Sequence, residues 1–139
     1  MTVLAVGLDV VDVVAFSAQL DDPASGFAAA TFTAAEMAGA PPDAERRARY
    51  LAARFAAKEA TIKAWSGARR GRPPALDAVD LREVEVRRDP WGRPSIELRG
   101  QVATALPASL DGPVALHLSL SHDGPFAAAT VVLARDDTG

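Results

Sequence analysis

Arg54-Phe55-Ala56-Ala57-Lys58-Glu59-Ala60-Thr61-Ile62-Lys63 is the stretch from which the rest of this chain can be read. With Leu51 set at zero and about 100° added per residue, Phe55 falls at about 40°, Ile62 at about 20° and Trp65 at about −40°, which makes one apolar stripe on a helix. The helix is expected to start near Asp43 and to run to about Trp65. Glu59 lies at about 80°, on the shoulder of the stripe, where a carboxylate is partly buried yet can reach a cleft. Lys63 follows one turn further along the same edge. Lys58, at about −20°, falls inside the stripe, so it must snorkel, pair with a carboxylate or meet a ligand.

Upstream, Thr2–Leu8 reads as a buried strand, and Val10–Leu20 reads as a helix leaving it, which puts Asp9 at a strand-to-helix junction. There Asp9 can cap the helix, bind a metal, or do both. Asp21 to Gly26 is turn chemistry, Thr33 and Glu36 form a capping-box pattern that opens a short helix, and Gly39-Ala40-Pro41-Pro42 stops it. Downstream, Arg69, Arg70 and Arg72 sit in a Gly- and Pro-rich loop. Alternation predicts a strand over Val79–Arg87, a second one carrying Ile96 and Leu98 after the Asp89–Gly92 turn, and strands over Ala115–Ser121 and Phe126–Ala134 joined by an Asp123-Gly124-Pro125 hairpin. Only a short segment is expected around Gln101–Leu106. The sum is one α+β domain over residues 1–139, in which a largely antiparallel sheet packs against helices that include one long active-site helix.

Composition narrows the chemistry. The chain has no cysteine and two histidines, which excludes disulfides, thiolate nucleophiles and Cys-based metal sites and makes a His-only metal site improbable. No Lys or Arg precedes Arg46, whereas a secretory signal begins with a basic region, so a cytoplasmic protein is expected. No apolar run approaches the roughly 18 residues that span a bilayer, and no membrane role is expected. Between Glu45 and Arg72 there are nine basic residues against two acidic ones, which makes this segment +7 and the remainder −10 within a net charge of −3. Such a segment is either a solvated face or the seat of a polyanionic ligand or acidic partner. Binding of nucleic acid is not expected, because only Tyr50 and Trp65 could stack bases there and Trp65 belongs to the apolar stripe.

Two carboxylates, Asp9 and Glu59, the second bracketed by Lys58 and Lys63, offer oxygens for a hard cation such as Mg²⁺ beside fixed positive charge for phosphates. The plain alternative for Glu59 and Lys63 is a surface ion pair on one helix face. His122, at a strand tip before a turn, is either a surface residue or a donor to a phosphate or an adenine. His117 alternates with Ser119 and Ser121 on one strand face and reads as structural. No Walker-type loop, G-x-S-x-G elbow or H-E-x-x-H motif is present.

In order along the chain, Val6-Gly7-Leu8-Asp9-Val10-Val11-Asp12, Phe32-Thr33-x-x-Glu36, Tyr50 through Ala64, Asp89-x-x-Gly92-Arg93-Pro94 and Leu118-Ser119-Leu120-Ser121-His122 resemble the small phosphopantetheinyl transferases of the holo-acyl-carrier-protein synthase type. The resemblance implies an enzyme that moves the phosphopantetheine arm of coenzyme A to a serine of an acidic apo acyl carrier protein of fatty-acid or secondary metabolism, releasing adenosine 3′,5′-bisphosphate. It further implies Asp9 and Glu59 as Mg²⁺ ligands, Glu59 as the acceptor of the serine proton, and Lys63 on the phosphates. Arg46, Arg54 and His122 would bind the 3′-phosphate region, Gly92 and Pro94 would line the adenine, and the molecule would be a homotrimer with active sites between protomers. A module that binds coenzyme A or a carrier without catalysis is the alternative. The chain departs from the family pattern at Trp65-Ser66-Gly67 and Arg88-Asp89. Val13–Leu20 contains no basic residue, which leaves carrier docking to the arginines of the long helix or of the Arg69-Arg70-Arg72 loop.

Overall fold

The computed structural model describes residues 1–137. Strand β1 (Val3–Asp12) leads into helix α1 (Val13–Asp21), and the short helices α2 (Phe27–Thr31) and α3 (Ala34–Gly39) precede the 25-residue helix α4 (Ala44–Ala68). After a single 3-10 turn at Leu81–Glu83 come β2 (Val84–Arg88), β3 (Pro94–Leu98), helix α5 (Gly100–Ser109), β4 (Val114–Asp123) and β5 (Phe126–Arg135). Strands β1, β5 and β4 form one antiparallel sheet in that order, and β2 and β3 form a second. Helices packed on antiparallel strands make the α+β architecture that the sequence pattern predicts.

The first element differs from expectation. β1 does not stop at Leu8. Pairing with β5 continues through Asp9↔Ala129, Val10↔Ala128 and Val11↔Ala127 to Asp12↔Phe126. Val10 and Val11 are β-branched and fit the pleated surface, so the strand outlasts the helix pattern that starts beside them. Asp12, not Asp9, caps α1, accepting from the backbone N–H groups of Val14 and Ala15 at 3.0 and 3.2 Å. Asp9 therefore lies inside a strand, at neither a junction nor a cap.

Along β1 the two faces separate by period two. Gly7, Asp9 and Val11 face α4, while Val6, Leu8 and Val10 point outward and are more than half exposed. The inward face needs a residue without a side chain at position 7. A Cβ there would collide with the carbonyl oxygen of Ala60 and come within 2.9 Å of the Ala64 backbone nitrogen. Helix and strand thus touch backbone to backbone.

That close approach explains a second departure. Leu51 and Trp65 of the expected stripe are buried, yet Phe55 and Ile62 are half-buried, and the deepest face of α4 consists of Ala52, Ala56, Ala57, Ala60 and Ala64. Small side chains let the sheet approach; the larger Phe55 turns to an aromatic cluster with Phe16 and Phe27, at centroid distances of 5.7 and 5.3 Å. The expected strand over Val79–Arg87 shrinks to Val84–Arg88, since Asp80 caps the 3-10 turn before it. The segment around Gln101–Leu106 is a full helix, α5.

Lys58 takes the second of its three options. It is fully buried, and its Nζ donates to Glu36 Oε1 at 2.9 Å and to the carbonyls of Leu81 and Val84 at 2.9 and 2.7 Å. Glu36, in the expected capping box at the start of α3, also accepts from the Thr33 and Val86 backbone N–H groups. All three ammonium protons and both carboxylate oxygens are engaged, the condition under which a buried ion pair is tolerated. The pair ties α3, α4 and β2 together.

Candidate active site

The register of β1 and the pitch of α4 bring Asp9 and Glu59 together. Asp9 faces the helix from the strand, one inward position beyond Gly7, and the Lys63 ammonium donates to Asp9 Oδ1 at 2.9 Å and to the Leu8 carbonyl at 3.0 Å. Glu59 precedes Lys63 by one helical turn. Burial and the Asp9 charge push the Glu59 carboxyl above the usual carboxylate range, against the opposing pull of Lys63. Two carboxylates repelling each other beside a lysine leave this cluster short of positive charge.

A divalent cation would supply that charge, and the donor set fits Mg²⁺. Among the described residues there is no group of three or more His, Cys, Asp or Glu side chains suited to a metal. Mg²⁺ characteristically uses one or two protein carboxylates and completes its octahedron with water and substrate phosphates, so a pair of carboxylates is a suitable protein share.

Glu59 also stands at the edge of a cavity of about 380 Å³ whose walls include Ile62, Trp65, Pro74, Leu76 and Leu81, an apolar lining with Arg69 and Asp77 at its rim. The other predicted residues gather elsewhere on α4 and β4. Arg46, Arg54 and His122 line one cavity of about 370 Å³ together with Arg49, Tyr50 and Ser121. Gly92 and Pro94 line a neighbouring one of about 380 Å³ together with Tyr50, Arg54, Arg88 and Leu118. Arg54 and Tyr50 belong to both. Burial lowers the affinity of the Arg54 guanidinium for its proton, and its position 3.4 Å over the Tyr50 ring, with Nη1 donating to the Tyr50 carbonyl, fixes its plane. Gly92 adopts a positive φ of 83° in a turn held by Asp89 Oδ1, which accepts from the Trp91 and Arg93 N–H groups.

The predicted residues thus form two groups, Asp9, Glu59 and Lys63 on one side and Arg46, Arg54, His122, Gly92 and Pro94 on the other. No cavity described here is lined by members of both. Sequence reasoning missed Tyr50 and Arg88: the Tyr50 ring on α4 carries the guanidiniums of Arg54, at 3.4 Å, and of Arg88 from β2, at 5.3 Å. An aromatic residue four positions before an arginine on one helix face was the available sign for Tyr50.

Residues 5–131 match the 4′-phosphopantetheinyl transferase superfamily. The chain belongs to that superfamily. Among its relatives, the holo-[acyl-carrier-protein] synthase of Mycobacterium ulcerans is 46% identical over 106 residues, covering 76% of this chain and 81% of the relative. Among solved structures, the ACPS–CoA complex of Chronobacterium ammoniagenes superposes with a TM-score of 0.88 at 44% identity over 95% of this chain and 97% of that one. The acyl carrier protein synthase of Mycobacterium tuberculosis superposes with a TM-score of 0.77 at 40% identity over 96% and 99%. Membership in the phosphopantetheinyl transferases makes this chain an enzyme.

Proposed function

We propose that this enzyme transfers the 4′-phosphopantetheine arm of coenzyme A to a serine of an acidic apo acyl carrier protein, with Mg²⁺, and releases adenosine 3′,5′-bisphosphate. The observation that carries the reading is the meeting of Asp9 from β1 with Glu59 and Lys63 from α4. The ACPS–CoA complex of the Chronobacterium ammoniagenes relative supports coenzyme A as the donor.

In this reading Asp9 and Glu59 hold Mg²⁺, which when bound neutralises the pyrophosphate oxygens and orients the phosphorus for in-line attack. The serine oxygen forms a bond to the phosphorus that carries pantetheine, and the bond from that phosphorus to the bridging oxygen breaks. Glu59 takes the serine proton. Lys63 stabilises the departing bisphosphate, Arg46, Arg54 and His122 bind the 3′-phosphate region, and Gly92 and Pro94 line the adenine. The remaining work is positioning.

The outward face of β1 supports a homotrimer. Val6, Leu8 and Val10 are exposed at 59%, 57% and 58% on a strand whose other face is buried, an apolar stripe that an isolated chain would leave in water. Glu59 lines one cavity while Arg46, Arg54, His122, Gly92 and Pro94 line others, which favours an active site in which one protomer provides Asp9 and Glu59 and a neighbour part of the coenzyme pocket. No helix among the described residues is long and apolar enough to cross a membrane; one cytoplasmic domain over residues 1–139 is part of this reading.

The test is direct. Protein incubated with coenzyme A, Mg²⁺ and apo carrier proteins from fatty-acid and secondary metabolism should add the mass of one phosphopantetheine arm to at least one carrier, and chelation should stop the reaction. No mass gain on any carrier overturns the proposal.

A further inference from the structure

We propose that the Arg70–Arg72 turn at the end of α4 is the docking edge for the acidic face of the apo carrier protein. This rests on the transferase reading above and names the surface that reading leaves open. Arg69 closes α4 as its C-cap, and the Arg72 backbone N–H donates to the Arg69 carbonyl at 2.8 Å, with Gly71 supplying a positive φ of 72°. The turn is held from within: Arg69 Nε donates to the Pro73 carbonyl and Arg69 Nη1 to the Ser109 carbonyl, both at 2.9 Å. Arg69 is occupied by backbone. Arg70 and Arg72 are not, since both are exposed and neither has a carboxylate within ion-pair distance among the described residues.

Place and charge both favour a protein as the occupant. Arg69 lines the same cavity as Glu59, ten residues earlier on the same helix, so the turn stands roughly 15 Å along the axis from the reacting centre. A protein that presents a serine to Glu59 covers that distance; a coenzyme phosphate bound beside Asp9 and Lys63 does not reach it. Arg46, Arg47 and Arg49 lie at the opposite end of α4, residues outside 45–72 sum to −10, and α1, which follows the strand carrying Asp9, has Asp21 and no cation. Asp77 is the acidic group besides Glu59 that lines this cavity, and Asp80 is already paired with Arg82. Two exposed guanidinium groups without a carboxylate partner, at the end of α4 beside the cavity that Glu59 lines, steer an acidic protein to that edge and speed its arrival.

Steady-state kinetics and carrier titration on the full chain test this with the double variant Arg70→Glu/Arg72→Glu. Wild-type kcat/KM for the carrier should fall steeply between low and high NaCl. The variant should show a KM and Kd for apo carrier raised by about tenfold or more at low salt, a nearly flat salt profile, and kcat and the coenzyme A KM within about twofold of wild type. Unchanged carrier affinity overturns the proposal, as does a coenzyme A KM that rises in step. If the wild-type protein binds carriers but transfers nothing, the transferase reading falls, and the difference in Kd still decides the docking edge.

Discussion

Two lysine–carboxylate pairs sit five residues apart on α4, and they could hardly be used more differently. Lys58 and Glu36 are closed: neither side chain is exposed, and every polar proton and oxygen has a partner in the protein. Lys63 and Asp9 are open, with the lysine side chain 55% exposed, only two of its ammonium protons engaged by the protein, and a second carboxylate, Glu59, alongside. The difference teaches that ion pairing by itself distinguishes nothing. The unsatisfied remainder of charge beside Glu59, which lines a cavity, is what the proposed reaction would use.

Removing either acid of the open cluster should break the contrast most sharply. Asp9→Ala and Glu59→Ala should each lower carrier modification, followed by mass spectrometry, by about a thousandfold or more. Their circular-dichroism spectra should remain native; an unfolded variant would mean that this cluster, too, is structural. Cutting the closed pair should give the opposite pattern. Lys58→Ala leaves the Glu36 carboxylate buried without its cation and should cost about 3–5 kcal/mol in urea denaturation, because an uncompensated charge in the interior is expensive. Lys63→Ala should cost under about 1 kcal/mol of stability, as exposed pairs do. It should still slow transfer by about tenfold or more in single-turnover assays.

The smallest effect tests the surplus of negative charge. In chelator, Glu59→Gln should raise Tm by about one to two degrees at neutral pH, since it removes a charge that the fold disfavours. The sign follows from the raised carboxyl. Below its ordinary value near 4.5 the wild-type group is protonated in both states and the burden is absent; as pH climbs through the raised folded value, stability is lost. The melting-temperature gap between the two proteins should therefore open with rising pH. A gap that stays constant would remove the electrostatic account.

Much of this arrangement was legible because its signals are local. Helix α4 has Asp43 as its N-cap, α3 its reciprocal Thr33–Glu36 bonds, and β4 and β5 their alternation around a two-residue Gly124-Pro125 turn. What stayed hidden is set by distant neighbours. Helix α5 begins at Gly100 with no side-chain cap on Arg99, and its Val102 N–H is capped by Glu83 from 19 residues upstream, so the segment looked like a fragment. Helix α2 spans five residues behind an uncapped Gly26 and had no periodicity to show. The sequence pattern puts Asp9 at a strand end and the structure puts it inside β1, because nothing at Val10-Val11 announces that β5 will keep them in a sheet. In the site, Asp9, Glu59 and Lys63 could be picked out by type and spacing. Arg88, by contrast, meets the helix by stacking on the Tyr50 ring, a tertiary contact that no local pattern announces.

The bare α-carbon of Gly7 acquires a wider meaning in this light. Because backbone meets backbone at Ala60 and Ala64, even one added methyl must pry the first strand off the long helix, and the two acids ride on opposite sides of that seam. Precision at the proposed reacting centre would thus be set two residues away by an atom that is missing. A mutational library that leaves every polar residue untouched could still silence this enzyme at position 7.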